Sequence, residues 1–250
     1  KYSISNYFNY MTTFNQNYDL DVVVGMSFEE SSRSRQFTAG TEFPSDDLQT
    51  VASASEIIDG FSSRTKYNFL SYFGRATFSL FDKYLFKGSL RYDGSSRFGT
   101  DNRYGFFPAA SAGWIISEED FLQDSSTLSL LKLRGSWGVT GNAGIGNFAS
   151  LGLFSGRSYN QRAALYPSQL GNPGLKWERT EQVDIGLDFG LFNNRLSGEV
   201  DYYVKTTKDL LLNQPIPGTS GFSSITRNVG SMSNKGFEFV LNTKNIVTQD

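Results

Sequence analysis

Adjacent carboxylate pairs such as Asp46-Asp47 and Glu118-Glu119 are residues whose types could do acid/base work. Glycoside hydrolysis needs two carboxyls roughly 5–10 Å apart across a cleft. Neighbours in polar connecting segments do not set up that separation, so solvated loop charge is the simpler reading. Gly141-Asn142-Ala143-Gly144-Ile145-Gly146-Asn147 has glycines enough for a phosphate-cradling loop. It lacks the lysine and following Ser/Thr of a P-loop, and no helical periodicity follows it. Asp93-Gly94-Ser95-Ser96 through Asp101-Asn102 is oxygen-rich, as a calcium site would be, but without EF-hand spacing; turn chemistry accounts for it without metal. Cysteine and histidine are absent. That removes disulfides, Cys/His metal centres, Ser-His-Asp and Cys-His catalysis, and zinc deaminase chemistry. No catalytic residue, metal or cofactor is expected, and the chain is not expected to be an enzyme.

The elements around these residues belong to a different kind of protein. The 250 residues are 19% charged and 15% aromatic, and the apolar share suffices for a folded chain. A net charge of −2 gives no basic footprint, so nucleic acid is not an expected partner. No stretch approaches the roughly 18 consecutive apolar residues of a spanning helix. A transmembrane barrel escapes that test, because its strands alternate lipid-facing and lumen-facing residues. The chain starts inside an alternating segment, Tyr2 to Phe14, which reads as an excerpt of a longer protein.

Strict alternation predicts nine strands, at 2–14, 19–30, 67–81, 84–93, 106–116, 128–139, 181–191, 195–206 and 235–246. Most reach the roughly 9–11 residues that a tilted strand needs to cross a bilayer. In 182–191 one face is Val183, Ile185, Leu187, Phe189 and Leu191, and the other carries Asp184 and Asp188. In the next strand Leu196, Val200 and Tyr202 oppose Arg195, Glu199 and Asp201, with the hairpin turn Asn193-Asn194 between. Lys132 and Arg134 oppose Leu131 and Leu133. A cation on a lipid face near the midplane costs roughly 2–4 kcal/mol. The expected lumen-facing set is therefore Lys132, Arg134, Asp184, Asp188, Arg195, Glu199 and Asp201. Val183, Ile185, Leu187, Phe189, Leu196, Val200 and Tyr202 are expected to face the lipid bilayer.

Connection lengths alternate as well. Residues 15–18, 82–83 and 192–194 read as tight turns, whereas 31–66, 140–180 and 207–234 read as long loops on the opposite side, the pattern of short periplasmic turns and long outside loops. Ser117-Glu118-Glu119-Asp120 fits a capping box, which predicts a short helix at 118–123 with Ser117 accepting a first-turn N–H. Aromatic residues such as Tyr2, Tyr10, Phe69 and Phe81 suit interfacial girdles. Residues 148–170 are rich in Gly, Ser, Tyr, Asn and Arg, and Arg157, Tyr159, Asn160, Arg162 and Tyr166 are the candidates there for contact with a sugar or peptide.

Four groups of strings carry a resemblance: Arg91-Tyr92-Asp93-Gly94-Ser95-Ser96-Arg97-Phe98-Gly99 with Asn102-Arg103-Tyr104-Gly105-Phe106-Phe107-Pro108 and Gly113-Trp114; Leu131 to Asn142; Gly171-Asn172-Pro173-Gly174-Leu175-Lys176-Trp177-Glu178; and Asn193 onward through Asp201-Tyr202-Tyr203 to Asn228-Val229-Gly230 and Asn234-Lys235-Gly236-Phe237-Glu238. In type and order the sequence resembles the SusC/RagA-type TonB-linked outer-membrane transporters. The resemblance implies an all-β fold, an antiparallel up-and-down transmembrane barrel of which these strands form part. In such proteins about 22 strands surround a plug, so residues 1–250 would lie within the barrel domain, with the plug and N-terminal segments elsewhere. It further implies import of glycan or peptide oligomers across the outer membrane of a Gram-negative bacterium, a SusD-like surface lipoprotein as partner, and energy from the TonB complex. The competing readings are a passive porin or adhesin barrel and a secreted β-sandwich carbohydrate-binding module.

Overall fold

A computed structural model describes residues 1–123 and 125–245. Nine strands form one antiparallel sheet: β1 (Tyr2–Phe14), β2 (Tyr18–Thr41), β3 (Glu56–Leu80), β4 (Tyr84–Ser95), β5 (Tyr104–Ile115), β6 (Leu128–Asn142), β9 (Glu178–Leu191), β10 (Leu196–Lys208) and β13 (Ser231–Thr243). Each pairs with the next, as in an up-and-down wall. Two hairpins, β7 (Leu153–Tyr159) with β8 (Arg162–Gln169) and β11 (Leu211–Pro215) with β12 (Ser224–Asn228), stand outside the wall in the long connections after β6 and β10. The last expected strand, 235–246, is found earlier, and its final residue lies outside the described residues.

Tight connections gather at one end of the wall. Asn15, Gln16, Phe81, Asp82, Phe192, Asn193 and Asn194 all have φ between 48° and 61°, the left-handed region that reverses a hairpin and that asparagine tolerates best among residues with a Cβ. Adjacent turns are tied by backbone bonds, Phe81 N–H to Asn17 O at 2.7 Å, Ile115 N–H to Lys83 O at 2.8 Å and Phe192 N–H to Thr127 O at 2.7 Å. The connection after β5 sits at this end too.

The helix expected at 118–123 does not form. A 3₁₀ turn spans Ile116–Glu118, and Glu119 is extended at φ −75°, ψ 145°. Ser117 is buried and its Oγ bonds nothing among the described residues. Glu119 explains the failure: its Oε1 accepts from Tyr84 Oη at 2.7 Å and Trp114 Nε1 at 2.9 Å, while Lys83 Nζ lies 3.6 Å from Oε2. Pulled onto the wall and extended, Glu119 lacks the helical backbone that the second residue after a Ser117 cap needs, so no helix starts there. The Tyr84 bond, then the Trp114 bond and the Lys83 charge, hold its carboxyl below the usual carboxylate range.

At the other end the expected loop 31–66 is largely strand. β2 runs 24 residues and β3 runs 25, paired from Tyr18↔Leu80 to Thr41↔Glu56 with a bulge at Ala39/Gly40, so the open connection is only 42–55. β4 joins β3 only from Phe69↔Ser95. The β2–β3 ribbon beyond that point therefore overhangs the wall. From 31 to 36 and 62 to 66 it is polar on both faces, as at Ser32↔Lys66 on one and Arg33↔Thr65 on the other, before Phe37 meets Phe61. Apolar alternation, the signal for half-buried strands, is absent where both faces are wet.

Candidate functional site

Inward, the register of β6, β9 and β10 sets Lys132, Asp188 and Glu199 level, then Arg134, Gly186 and Asp201, then Ser136, Asp184 and Tyr203. Arg134 is the node. Its Nε donates to Asp188 at 2.8 Å, and its Nη2 donates to Asp201 at 2.7 Å and Glu199 at 3.3 Å. Lys132 Nζ is 3.9 Å from Asp188, and Asp184 accepts from Ser136 Oγ at 3.0 Å and Gln182 Nε2 at 2.8 Å. Asp201 is two strands from Arg134, and the guanidinium reaches it by lying over Gly186. A Cβ at that position would fall 2.3 Å from Asp201 Oδ1 and 2.6 Å from Arg134 Cζ. Four carboxylates answer two cations here, so this stretch of the inner face is acidic. Arg195, expected with this set, lies in the β9–β10 turn, exposed, with its Nη2 3.4 Å from Asn245 O and no part in the Arg134 network.

Outward, the same pairs align Val183 with Val204, Ile185 with Tyr202, Leu187 with Val200, and Leu191 with Leu196, while Phe189 faces Gly198. Ile185 is 56% exposed, and Tyr202 packs on Phe237 with ring centroids 4.8 Å apart. On β9 and β10 no charge interrupts this surface from Leu191 to Val183, and Lys235 on β13 stands level with Val183 at its edge.

The described residues bury one hydrophobic cluster, and it lies at the loop end: Phe98, Phe107, Val139, Ala143, Ala149, Leu175 and Trp177. Val139, which alternation assigns outward, is drawn into it. Trp177 is central, 5.0 Å from the Phe98 ring and 5.2 Å from the Phe107 ring, and its indole N–H donates to Arg103 O at 2.9 Å. Arg97 clamps the rim: Nε donates to Asn147 Oδ1 at 2.9 Å, Nη1 to Ala143 O at 2.8 Å, and its guanidinium lies 4.2 Å over the Tyr67 ring. Asn147 Nδ2 continues to Thr65 on the overhang at 2.7 Å. Asn172 Nδ2 donates to Thr226 O, Asn228 Nδ2 to Lys176 O and Asp209 O, and Leu211 N–H to Glu178 Oε2. Gly99 permits the closest approach, since a Cβ there would lie 1.9 Å from Pro173 O. The Gly141–Asn147 loop is thus a structural part of a cap, not a phosphate cradle. The carboxylates of 93–102 do not converge either: Arg91 binds Asp93 at 3.0 Å and Asp101 lies within a 3₁₀ turn at Thr100–Asn102. Arg97, Asn147, Asn172, Asn228 and Trp177 were not singled out as site residues. The usable signal was a multivalent polar side chain embedded in each Gly-rich string.

Beyond the cap, β7–β8 is closed by Asn160-Gln161 at φ 47° and 60°. The pairs Tyr159↔Arg162, Arg157↔Ala164 and Ser155↔Tyr166 put four of the five contact candidates on one face, with Asn160 in the turn. Tyr159 is 78% exposed, and Tyr166 lines a cleft of ≈ 540 Å³ shared with the β11–β12 hairpin, including Asn213, Phe222 and Thr226. An aromatic and hydroxyl-lined cleft of this kind can stack on and hydrogen-bond an oligomer.

The family described as "TonB dependent receptor-like, beta-barrel" matches residues 2–246. The chain is 39% identical to the TonB-dependent receptor SusC of Bacteroides thetaiotaomicron, covering 100% of this chain and 26% of SusC. It is 41% identical to a TonB-dependent receptor of Formosa agariphila, covering 96% of this chain and 24% of that protein. It therefore spans about a quarter of the length of these relatives. Its fold matches the RagAB peptide transporter at a TM-score of 0.93 with 34% identity, over 99% of this chain and 28% of that one. The siderophore receptor PirA of Pseudomonas aeruginosa, at 13% identity and a TM-score of 0.59, shares the fold. A wall charged on one face and apolar on the other, with these matches along its length, places the chain in the β-barrel domain of the TonB-dependent receptor family, as a SusC/RagA-type member in the outer membrane of a Gram-negative bacterium.

Proposed function

We propose that the protein containing this segment is an active importer of nutrient oligomers, glycans or peptides, and not an enzyme. In this reading the outward face of the wall meets lipid, the inward face lines the barrel lumen, and the capped end lies outside the cell. The TonB complex supplies energy through other parts of the protein, and a SusD-like surface lipoprotein delivers substrate. The observation that carries the proposal is the fold match to the RagAB peptide transporter over 99% of the chain, cap and hairpins included. The identity to the TonB-dependent receptor SusC supports the coupling to TonB.

Replacing residues 154–168 of the full-length protein with a short Gly/Ser bridge tests it. The bridge spares Gln169, whose Nε2 donates to Phe148 O and Leu151 O, and the buried Ser150 that anchors Asn172. Barrel assembly should persist, because loop length outside the wall adds little to its closure. Oligomer uptake and lipoprotein capture should fall. Unchanged uptake and capture in a surface-displayed variant would reduce the hairpin to a spacer, and uptake indifferent to loss of TonB would favour a passive pore.

A further inference from the structure

Outward-facing charge on the described wall is confined to its loop-end part. β9 from Leu191 to Val183 and β10 from Leu196 to Val204 present only uncharged side chains outward, and then Arg179 and Lys208 appear as direct cross-strand partners. Both are exposed, and among the described residues neither makes an ion pair. Like charges directly opposite on one face destabilise a strand pair. The acid on this face, Glu181, is engaged by Trp137, whose Nε1 donates to it at 2.8 Å. Lys66 on the outward face of β3 is different: it is neutralised by Glu30 at 2.8 Å. Glu181 keeps its negative charge two residues from Arg179, but among the described residues it forms no ion pair with either cation, so two cations stand side by side without a contacting carboxylate.

Its height suggests the counter-ion. Trp137 is level with Val183, and an outward tryptophan at the end of an apolar band marks the membrane interface. Arg179 stands four residues further along β9, roughly 13 Å at ~3.3 Å per residue, or about 9 Å along the normal at ~45° tilt. That is headgroup depth. A guanidinium offers two parallel donors to phosphate oxygens, and an ammonium beside it adds a point charge.

We propose that Arg179 and Lys208 form a binding site for the phosphate of an anionic lipid in the outer leaflet. The proposal rests on the outward face meeting lipid. Bound phosphate relieves the like-charge repulsion and ties β9 to β10 where the chain arrives from β8 and departs to β11.

The test uses the full-length protein purified in non-ionic detergent, with a bis-phosphorylated outer-leaflet glycolipid, its dephosphorylated form and inorganic phosphate as separate probes. Native mass spectrometry should show retention of the phosphorylated lipid. R179Q/K208Q should weaken it by roughly 30-fold, the loss expected for two cations at a membrane surface. Without lipid, thermal unfolding of the double variant should occur at the same or higher temperature than the parent, since a repulsion has been removed. Phosphorylated lipid should then raise the melting temperature of the parent and not of the variant. Equal retention by parent and variant, equal retention of the dephosphorylated form, or equal stabilisation by millimolar inorganic phosphate would each overturn the proposal. Stabilisation by lipid that persists in K66Q but is lost in R179Q/K208Q would locate the site as stated, and the reverse pattern would refute it.

Discussion

Alanine at Gly186 should disrupt the inner-face network without changing a single charge. Its Cβ would sit 2.3 Å from Asp201 Oδ1 and 2.6 Å from Arg134 Cζ, so the guanidinium must lift off β9 and release at least one carboxylate. Hydrogen bonds to charged groups contribute about 1.5–3 kcal/mol. The side chains are 33% exposed at Arg134 and 16% at Asp201, and solvent screening moves the value toward about 1 kcal/mol. Alanine regains about 0.5 kcal/mol over glycine in a strand, leaving a net cost of about 0.5–2 kcal/mol. Removing the node itself with Arg134→Ala should cost about 2–3 kcal/mol, because Asp188 and Asp201 lose their shared cation. Since Gly186→Ala acts by displacing the Arg134 guanidinium, it should add almost nothing once Arg134→Ala has removed that group. Urea unfolding of the full-length protein folded into liposomes, followed by tryptophan fluorescence, measures all four corners of the cycle. If the two costs summed to within about 0.5 kcal/mol in the double variant, the role assigned to Gly186 would be wrong.

Ile185→Arg should cost about 2–4 kcal/mol and impair insertion, because it places a cation on the uninterrupted outward surface, whereas Gln182→Arg on the inward face, beside Asp184, should fold normally; equal folding yields into liposomes would invert the face assignment. Glu119 has a folded-state pKa below its unfolded value, so its contribution is fully present above the ordinary carboxylate range and is lost as pH falls through the folded pKa. Glu119→Gln should therefore flatten the stability profile as pH falls from neutral through and below the ordinary carboxylate range, and an unchanged profile would show that its bonds to Tyr84 and Trp114 carry no linkage. Trp177→Ala removes the centre of the cap and should cost about 3–5 kcal/mol locally. Limited proteolysis should then cut within 143–177 while the wall keeps its resistance to unfolding on a gel, and resistance of that segment to protease would count against the cap as an independent unit.

The wall was legible in the sequence because its two faces meet different surroundings. Val183, Ile185 and Leu187 against Asp184 and Asp188 is a pattern with period two, and strand existence, order and turn placement followed from it. The β2–β3 overhang was not legible for the same reason reversed: Ser31 to Gln36 and Ser62 to Lys66 are wet on both faces, so the pairing is fixed by continuation from the wall and leaves no periodic mark. The hairpin β7–β8 hides behind a break in register at Leu153/Phe154 and a turn, Asn160-Gln161, that lacks glycine. At 117–123 the local signal predicts solvated charge and a capped helix, and at Glu119 the structure has neither. Glu119 meets partners 35 residues back, at Tyr84, that outweigh its bond to a Ser117 cap.

The cap gives the Gly-rich strings their physical meaning. Trp177 and Arg103 are 74 residues apart in sequence, Arg97 and Ala143 46, and Asn147 and Thr65 82, yet each pair is hydrogen-bonded at the loop end. Backbone carbonyls that leave a wall and turn inward must find donors away from water, and the Asn, Arg and Trp side chains in those strings supply them. Glycine is needed where strings cross, as at Gly99 against Pro173. Arg97, Asn172, Trp177 and Asn228, which stand within the strings that carry the family resemblance, are thus engaged in closing the rim. Those of 153–169 bond mainly to one another across a two-stranded ribbon. Tyr159, Arg162 and Tyr166 can change without cost to the rim, whereas Arg97 and Trp177 cannot. Such a division lets one barrel end keep its shape while the chemistry presented by the ribbons differs, which is the arrangement an importer needs if substrate choice is to vary independently of folding.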